Sequence, residues 1–251
     1  MRAYVNMYVC TNTNLKKVRL FFFVRKQTER YMVRVKASRI IKIATVFAAL
    51  GGVILSLFTA VRDGYSHWGR RLLYFTAQSN VWLGVTFLLL LFVREDNERG
   101  RKILYLLKYV FTVSITVTGL IFCGLLAPFA GEDYRPWTIV NFFTHVLSPV
   151  LAIVDFFVDE TPIPLQGKRV LLALAPPLLY FAVSELLVGL NVDFGRGVPY
   201  PYFFLNYRSP AGIFGFSGER PFFVGSFYWL AIFAVLIVFL AVLYDRAARK
   251  K

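Results

Sequence analysis

The chain reads as an all-α integral membrane protein, a bundle of six transmembrane helices with both termini on the cytoplasmic side. Three observations predict this. Hydrophobic residues make up 57% of the 251 positions and the mean hydropathy is +0.58, too apolar a balance for a soluble domain of this size. Six apolar runs each approach the ~20 residues that a helix needs to cross hydrocarbon. The formal charge of +15 is unevenly shared, with basic residues gathered at alternate ends of those runs. That patterning marks membrane orientation and argues against nucleic acid as a partner.

Taken in order, residues 1–39 hold ten Lys or Arg against the single acid Glu29. The short apolar core 20–24 and the lack of a small-residue cleavage site exclude a signal peptide. Two readings stand: a basic cytoplasmic tail held at anionic lipid, disordered in part, or an over-extended start with Met32 as the true first residue. The transmembrane domain covers 40–245, with spans expected at 41–61, 72–92, 103–129, 139–157, 170–190 and 222–244, and a basic cytoplasmic end at 246–251. With both termini inside, the cytoplasmic segments carry twenty Lys or Arg and the three opposite loops carry seven. The cell membrane is therefore the expected location, with multi-pass topology. The last outside loop, 191–221, is rich in Gly, Pro and aromatic residues, and such a composition predicts that it folds back over the mouth of the bundle.

Polar residues concentrate where a lipid-facing helix should shed them. The run Tyr74-Phe75-Thr76-Ala77-Gln78-Ser79-Asn80 opens the second span; helical spacing puts Thr76, Ser79 and Asn80 on one face and turns Gln78 away. In the fourth span Asn141, His145 and Ser148 or Pro149 share a face, and Pro149 is expected to free the carbonyl of His145. Glu185, in the fifth span, is expected to be either protonated or paired with Arg196. Thr76, His145 and Glu185 are each expected within ~6–9 Å of the outer surface, beneath the aromatic loop. Asp155 lies about 15 Å deeper than His145 and off its face, and is assigned to the inner end of the bundle. Each has a structural alternative: back-bonding of Thr76 to its own i−4 carbonyl, interhelical hydrogen bonds from Asn80 and Gln78, packing for His145.

Other chemistries find no support. No histidine pair at metal-binding spacing occurs, so no metal or cofactor is expected. Gly215-Phe216-Ser217-Gly218 lacks the spacing of a serine nucleophile elbow, and no phosphate loop or dinucleotide fingerprint is present. Cys10 and Cys123 imply no disulfide framework.

Three stretches together carry a resemblance: Tyr74-Phe75-Thr76-x-Gln78-Ser79-Asn80, His145-x-x-x-Pro149 followed by Asp155, and Pro199-Tyr200-Pro201-Tyr202-Phe203. Over about residues 40–245 the chain resembles the bacterial six-helix membrane proteins called the Pr6Pr family. More remotely, Thr76 and His145 resemble the pair in the androgen-induced-protein family of membrane hydrolases, which cleave fatty acid esters of hydroxy fatty acids with a threonine nucleophile. Phe156 and Asn206 depart from the pattern, standing where tryptophan and aspartate are expected.

The resemblance implies membrane lipid as the partner and a fatty acid ester as the substrate. Thr76 would attack the carbonyl, and His145 would accept its proton and return it to the leaving alcohol. Ser79 or Asn80 would donate to the oxyanion, and Glu185 or Asn141 would orient the imidazole. The competing expectations are a non-catalytic lipid-binding or transport protein that uses the same polar cavity, and a membrane scaffold.

Overall fold

A computed structural model of the chain describes residues 2–129, 135–195 and 197–249. Its helices are α1 (Arg2–Thr59), α2 (Phe75–Phe92), α3 (Glu98–Ile121), α4 (Ile139–Phe142), α5 (Ser148–Val158), α6 (Arg169–Gly189) and α7 (Ser226–Ala248). No strand occurs among the described residues beyond an isolated bridge between Phe216 and Val224. Among the described residues six helical stretches are long and apolar enough to cross a membrane: Met32–Thr59, Phe75–Phe92, Glu98–Leu126, Ile139–Val158, Arg169–Gly189 and Ser226–Ala248. The protein is a multi-pass membrane protein.

The chain divides into units Met1–Ile40 and Ile41–Lys251. In the first, the backbone is helical from Arg2, and Arg25 pairs with Glu29 one turn on, Nε to Oε1 3.0 Å. The second unit is built around α3, which packs against α2, α5, α6 and α7. In the most apolar window of α3, 67% of the residues are buried, against 22% in α6 and in α7. Its sequence explains this place. Ser114, Thr116 and Thr118 are small, and each hydroxyl donates to the carbonyl four residues back, at 3.1, 2.7 and 3.1 Å, so these three side chains sit in the centre with their protons engaged. Gly119 lets the helix pass close beneath the carbonyl of His145, where a Cβ would approach to 2.9 Å.

Two helices depart from the expected spans, and both departures shape the site. The second span does not begin at residue 72. Trp68–Leu73 forms a 3₁₀ turn capped by His67, Tyr74 is extended at φ −90° and ψ 139°, and the α-helix starts only at Phe75. The fourth span is one continuous rod in three parts, α4, a π-helical turn at Phe143–Leu147, and α5. A proline at the start of α5 has no amide to give the preceding turn, and the wider π turn accommodates that loss. A second π-helical turn, Phe122–Leu126, ends α3.

At the opposite end from these turns lies a buried charge cluster. Lys42 bridges Asp155 (3.0 Å) and Asp159 (2.8 Å), and Lys108 bridges the same two carboxylates, 2.7 Å to Asp159. All four residues are buried, which ties α1, α3 and α5 together. Arg169 and Asp245 form a second buried pair between α6 and α7, and Arg169 also donates to the carbonyl of Ile163. Asp155 thus lies in a buried ion cluster away from the Thr76–His145 end of the fourth span. Lys42 and Lys108 are the two cations that belong to neither loop set, and an ionisable group inside an apolar span is itself a signal of a buried partner.

Candidate functional site

The start of α2 at Phe75 decides what Thr76 does. As the second residue of the helix it has no i−4 carbonyl within the helix to bond, so its hydroxyl is free to look outward. Its Oγ1 lies 3.1 Å from Nε2 of His145. On the far side of the ring, Nδ1 lies 3.2 Å from the main-chain oxygen of Asn141 and 3.0 Å from Oγ1 of Thr144. The Thr144 hydroxyl gives its own proton to the Val140 carbonyl at 2.9 Å and so faces Nδ1 with a lone pair. Two acceptors around Nδ1 assign the proton to that nitrogen. Nε2 then presents a lone pair to the Thr76 hydroxyl, which donates to it.

The imidazole is held in place by more than hydrogen bonds. It stacks on Phe122, with centroids 3.9 Å apart and an interplanar angle of 25°. Phe122 opens one π turn and His145 lies in the other, so the two irregular turns supply the ring and the surface it rests on.

The third member of the cluster comes from the aromatic loop. Tyr202 places its hydroxyl 3.4 Å from both the amide nitrogen and Oγ1 of Thr76. The amide donates to the phenol oxygen. Because the Thr76 proton is directed to His145, the Tyr202 proton points at Thr76 Oγ1. Burial pushes the Tyr202 phenol up to about 12, against the pull of the Thr76 hydroxyl and the Thr76 and Phe75 amides, so it stays protonated at neutral pH. The helix N-terminus adds a field that favours negative charge at this point.

Ser79 and Asn80 do not face the cavity. Asn80 is fully buried, and its amide donates to the carbonyls of Thr76 (2.8 Å) and Thr144 (3.0 Å) while its oxygen accepts from Ser148 at 2.6 Å. Ser79 Oγ lies 3.2 Å from both Thr76 O and Thr118 Oγ1. The expected role of either as an oxyanion donor gives way to a positioning one: they brace the backbone that carries Thr76 against α3 and the fourth span. Gln78 points elsewhere, as helical spacing requires, and donates to Leu72 O at 3.0 Å, which secures the 3₁₀ turn.

His145 is oriented by the main-chain carbonyl of Asn141 and the Thr144 hydroxyl, not by the Asn141 side chain, whose Nδ2 donates to Pro136 O at 2.8 Å. Glu185 shares neither the cavity nor a hydrogen bond with Thr76 or His145 among the described residues, so the expected meeting of three side chains reduces to two. Arg196, its expected partner, lies outside the described residues. The pull of the loop into the site is the feature that the sequence reading missed in detail. Its aromatics predict folding back, and Phe194, Tyr200, Phe204 and Leu205 are indeed buried, whereas Phe214 and Phe216 remain exposed. No residue pattern singles out Tyr202 from Tyr200 as the one that reaches Thr76.

These groups line a cavity of about 930 Å³, with Ser56, Arg71 and Tyr74 on its walls beside Thr76, His145 and Tyr202. Among the described residues no three His, Cys, Asp or Glu side chains gather at metal-binding distance. Comparison of the chain with protein-family models, curated proteins and solved structures finds no match.

Proposed function

We propose that the protein is an intramembrane hydrolase of lipid esters, with Thr76 as nucleophile and His145 as general base and acid. The observation that carries this reading is the 3.1 Å contact from Thr76 Oγ1 to an imidazole whose other nitrogen is committed to the Asn141 carbonyl. A threonine hydroxyl is a poor nucleophile at neutral pH and needs such a base. In the first half-reaction Oγ1 bonds to the ester carbonyl carbon as its proton passes to Nε2. The tetrahedral oxyanion draws on the Tyr202 hydroxyl and the amides at the start of α2, the C–O bond to the alcohol breaks, and His145 returns the proton to the departing oxygen. Water then attacks the acyl-threonine by the same route and releases the acid.

The resemblance to the Pr6Pr proteins and, more remotely, to the threonine hydrolases supports the same chemistry, with a fatty acid ester in the cell membrane as substrate. The test is turnover of a fluorogenic long-chain ester by purified protein in lipid nanodiscs. Thr76→Ala and His145→Ala should each lower kcat by about 10²–10⁴-fold. Undiminished turnover in both variants would overturn the reading.

A further inference from the structure

A second cavity, of about 420 Å³, lies between α3, α6 and α7. Thr76 and Tyr202 line both cavities, whereas His145 lines only the first. We propose that this second cavity is the acyl-chain site of the enzyme and that the alcohol half of the ester occupies the first. The assignment rests on the hydrolase reading above.

The argument comes from where the proton must go. His145 takes the proton of Thr76 and delivers it to the oxygen of the departing alcohol, so that alcohol has to lie on the His145 side of the nucleophile. The carbonyl carbon sits at Thr76 Oγ1 and carries its acyl chain away from the leaving group. The space on that other side is the second cavity. Its wall is formed by side chains such as Leu174, Pro177, Ala231, Ala234 and Ile237. The hydroxyls that reach it are already engaged: Thr118 donates to Ser114 O, and Tyr180 donates to Leu73 O at 3.1 Å. An apolar chain therefore meets no unpaired donor there. Along α7 the lining runs from Phe227 to Ile237, on the order of 15 Å into the bundle.

A lipid tail gains little by moving from bilayer to such a cavity, because both are apolar. What the cavity supplies is confinement, which holds the carbonyl at Thr76 and makes the rate depend on chain length. Attack forms the Oγ1–C bond and breaks the C–O bond to the alcohol, whose oxygen takes the His145 proton and leaves through the first cavity. Water enters by that same polar side, gives a proton to His145 and its oxygen to the acyl carbon; the C–Oγ1 bond then breaks, His145 returns the proton to Thr76 Oγ1, and the fatty acid departs from the second cavity.

The experiment compares methylumbelliferyl esters that share one alcohol and differ in acyl length, from acetyl to palmitoyl, in nanodiscs. Ala234→Phe narrows the second cavity and should lower the palmitoyl-to-acetyl ratio of kcat/KM at least tenfold. Ile237→Ala deepens it and should shift the preferred length upward. Val140→Phe, on the wall of the first cavity, should leave the ratio in place. A ratio unmoved by Ala234→Phe and Ile237→Ala, or moved by Val140→Phe instead, overturns the assignment while the hydrolase reading survives. Equal turnover by wild type, Thr76→Ala and His145→Ala sinks the hydrolase reading itself. The acyl site is then read without catalysis, from crosslinking of a diazirine-bearing palmitate. Adducts on the peptide 226–248 support the assignment, and adducts confined to 139–158 overturn it.

Discussion

Gly119 of α3 runs beneath the main-chain oxygen of His145 so closely that a Cβ at 119 would stand 2.9 Å from that oxygen and 3.1 Å from Pro149 Cγ. The oxygen is backbone and cannot swing aside, so Gly119→Ala must move the fourth span or α3. Displacement on the order of 1 Å between nucleophile and base costs about 10²-fold in rate. We expect Gly119→Ala to lower kcat/KM on a lipid ester by about that factor with the protein still helical by circular dichroism. Unchanged turnover would show that the two helices separate without disturbing the pair.

Tyr202→Phe removes the hydroxyl that stands beside Thr76 Oγ1 opposite the imidazole, and keeps the ring that stacks on Phe204 with centroids 5.0 Å apart. The loss of a single oxyanion donor lowers kcat by about 10²–10³-fold in well-formed sites. The expected result is a fall of that order in kcat with KM near the wild-type value. A rise in KM alone would assign Tyr202 to binding.

Asn80→Ala removes hydrogen bonds from three groups at once: the carbonyls of Thr76 and Thr144 and the hydroxyl of Ser148. Each group keeps a second partner, Ser79 Oγ on Thr76 O and Ser148 Oγ on Thr144 O, so the cost is that of the lost hydrogen bonds, about 1 kcal/mol each, and the variant should be destabilised by about 1–3 kcal/mol. Activity should fall with it, because the Thr76 backbone loses its brace. Thermal unfolding in detergent and ester turnover, measured on the same preparation, test both halves.

Lys108→Met takes one of the two described bridging cations from Asp155 and Asp159 and leaves the other, Lys42. Breaking a buried ion cluster from one side typically costs about 3–5 kcal/mol. Asp159 lies just beyond the fourth span; burial alone would push its carboxyl up, but Lys108 and Lys42 hold it well below the usual carboxylate range. A group lowered in this way stabilises the fold above its unfolded pKa of about 3.9, and that contribution is lost as pH falls through the folded value. Stability of the wild type should therefore decline in acid below about pH 4. Asp159→Asn should be less stable at neutral pH and show a flatter acid limb in the same denaturation series.

Hydropathy and charge were enough to determine the existence of the six apolar helices, because that depends on local composition and on the cost of burying polar backbone and charge in hydrocarbon. The start of α2 was not legible in that way. Residues 72–74 are as apolar as the helix that follows, and contacts from elsewhere in the fold, Gln78 to Leu72 O, Tyr180 to Leu73 O and the packing of Leu73 and Tyr74 on Phe194 and Tyr200, hold them as a 3₁₀ segment with an extended Tyr74. That shift of three residues frees Thr76 from its own backbone.

The meeting of Thr76 with His145, 69 positions on, and with Tyr202, 126 positions on, belongs to the tertiary structure alone. Nothing local ranks Tyr202 over Tyr200, or Glu185 below His145, since depth in a membrane fixes one coordinate and leaves rotation about each helix free. The sequence by itself determined which side chains lie near the mouth of the bundle. The tertiary structure decided which of them touch, because rotation is set by the close approach at Gly119, the two π turns and the hydrogen bonds of Asn80.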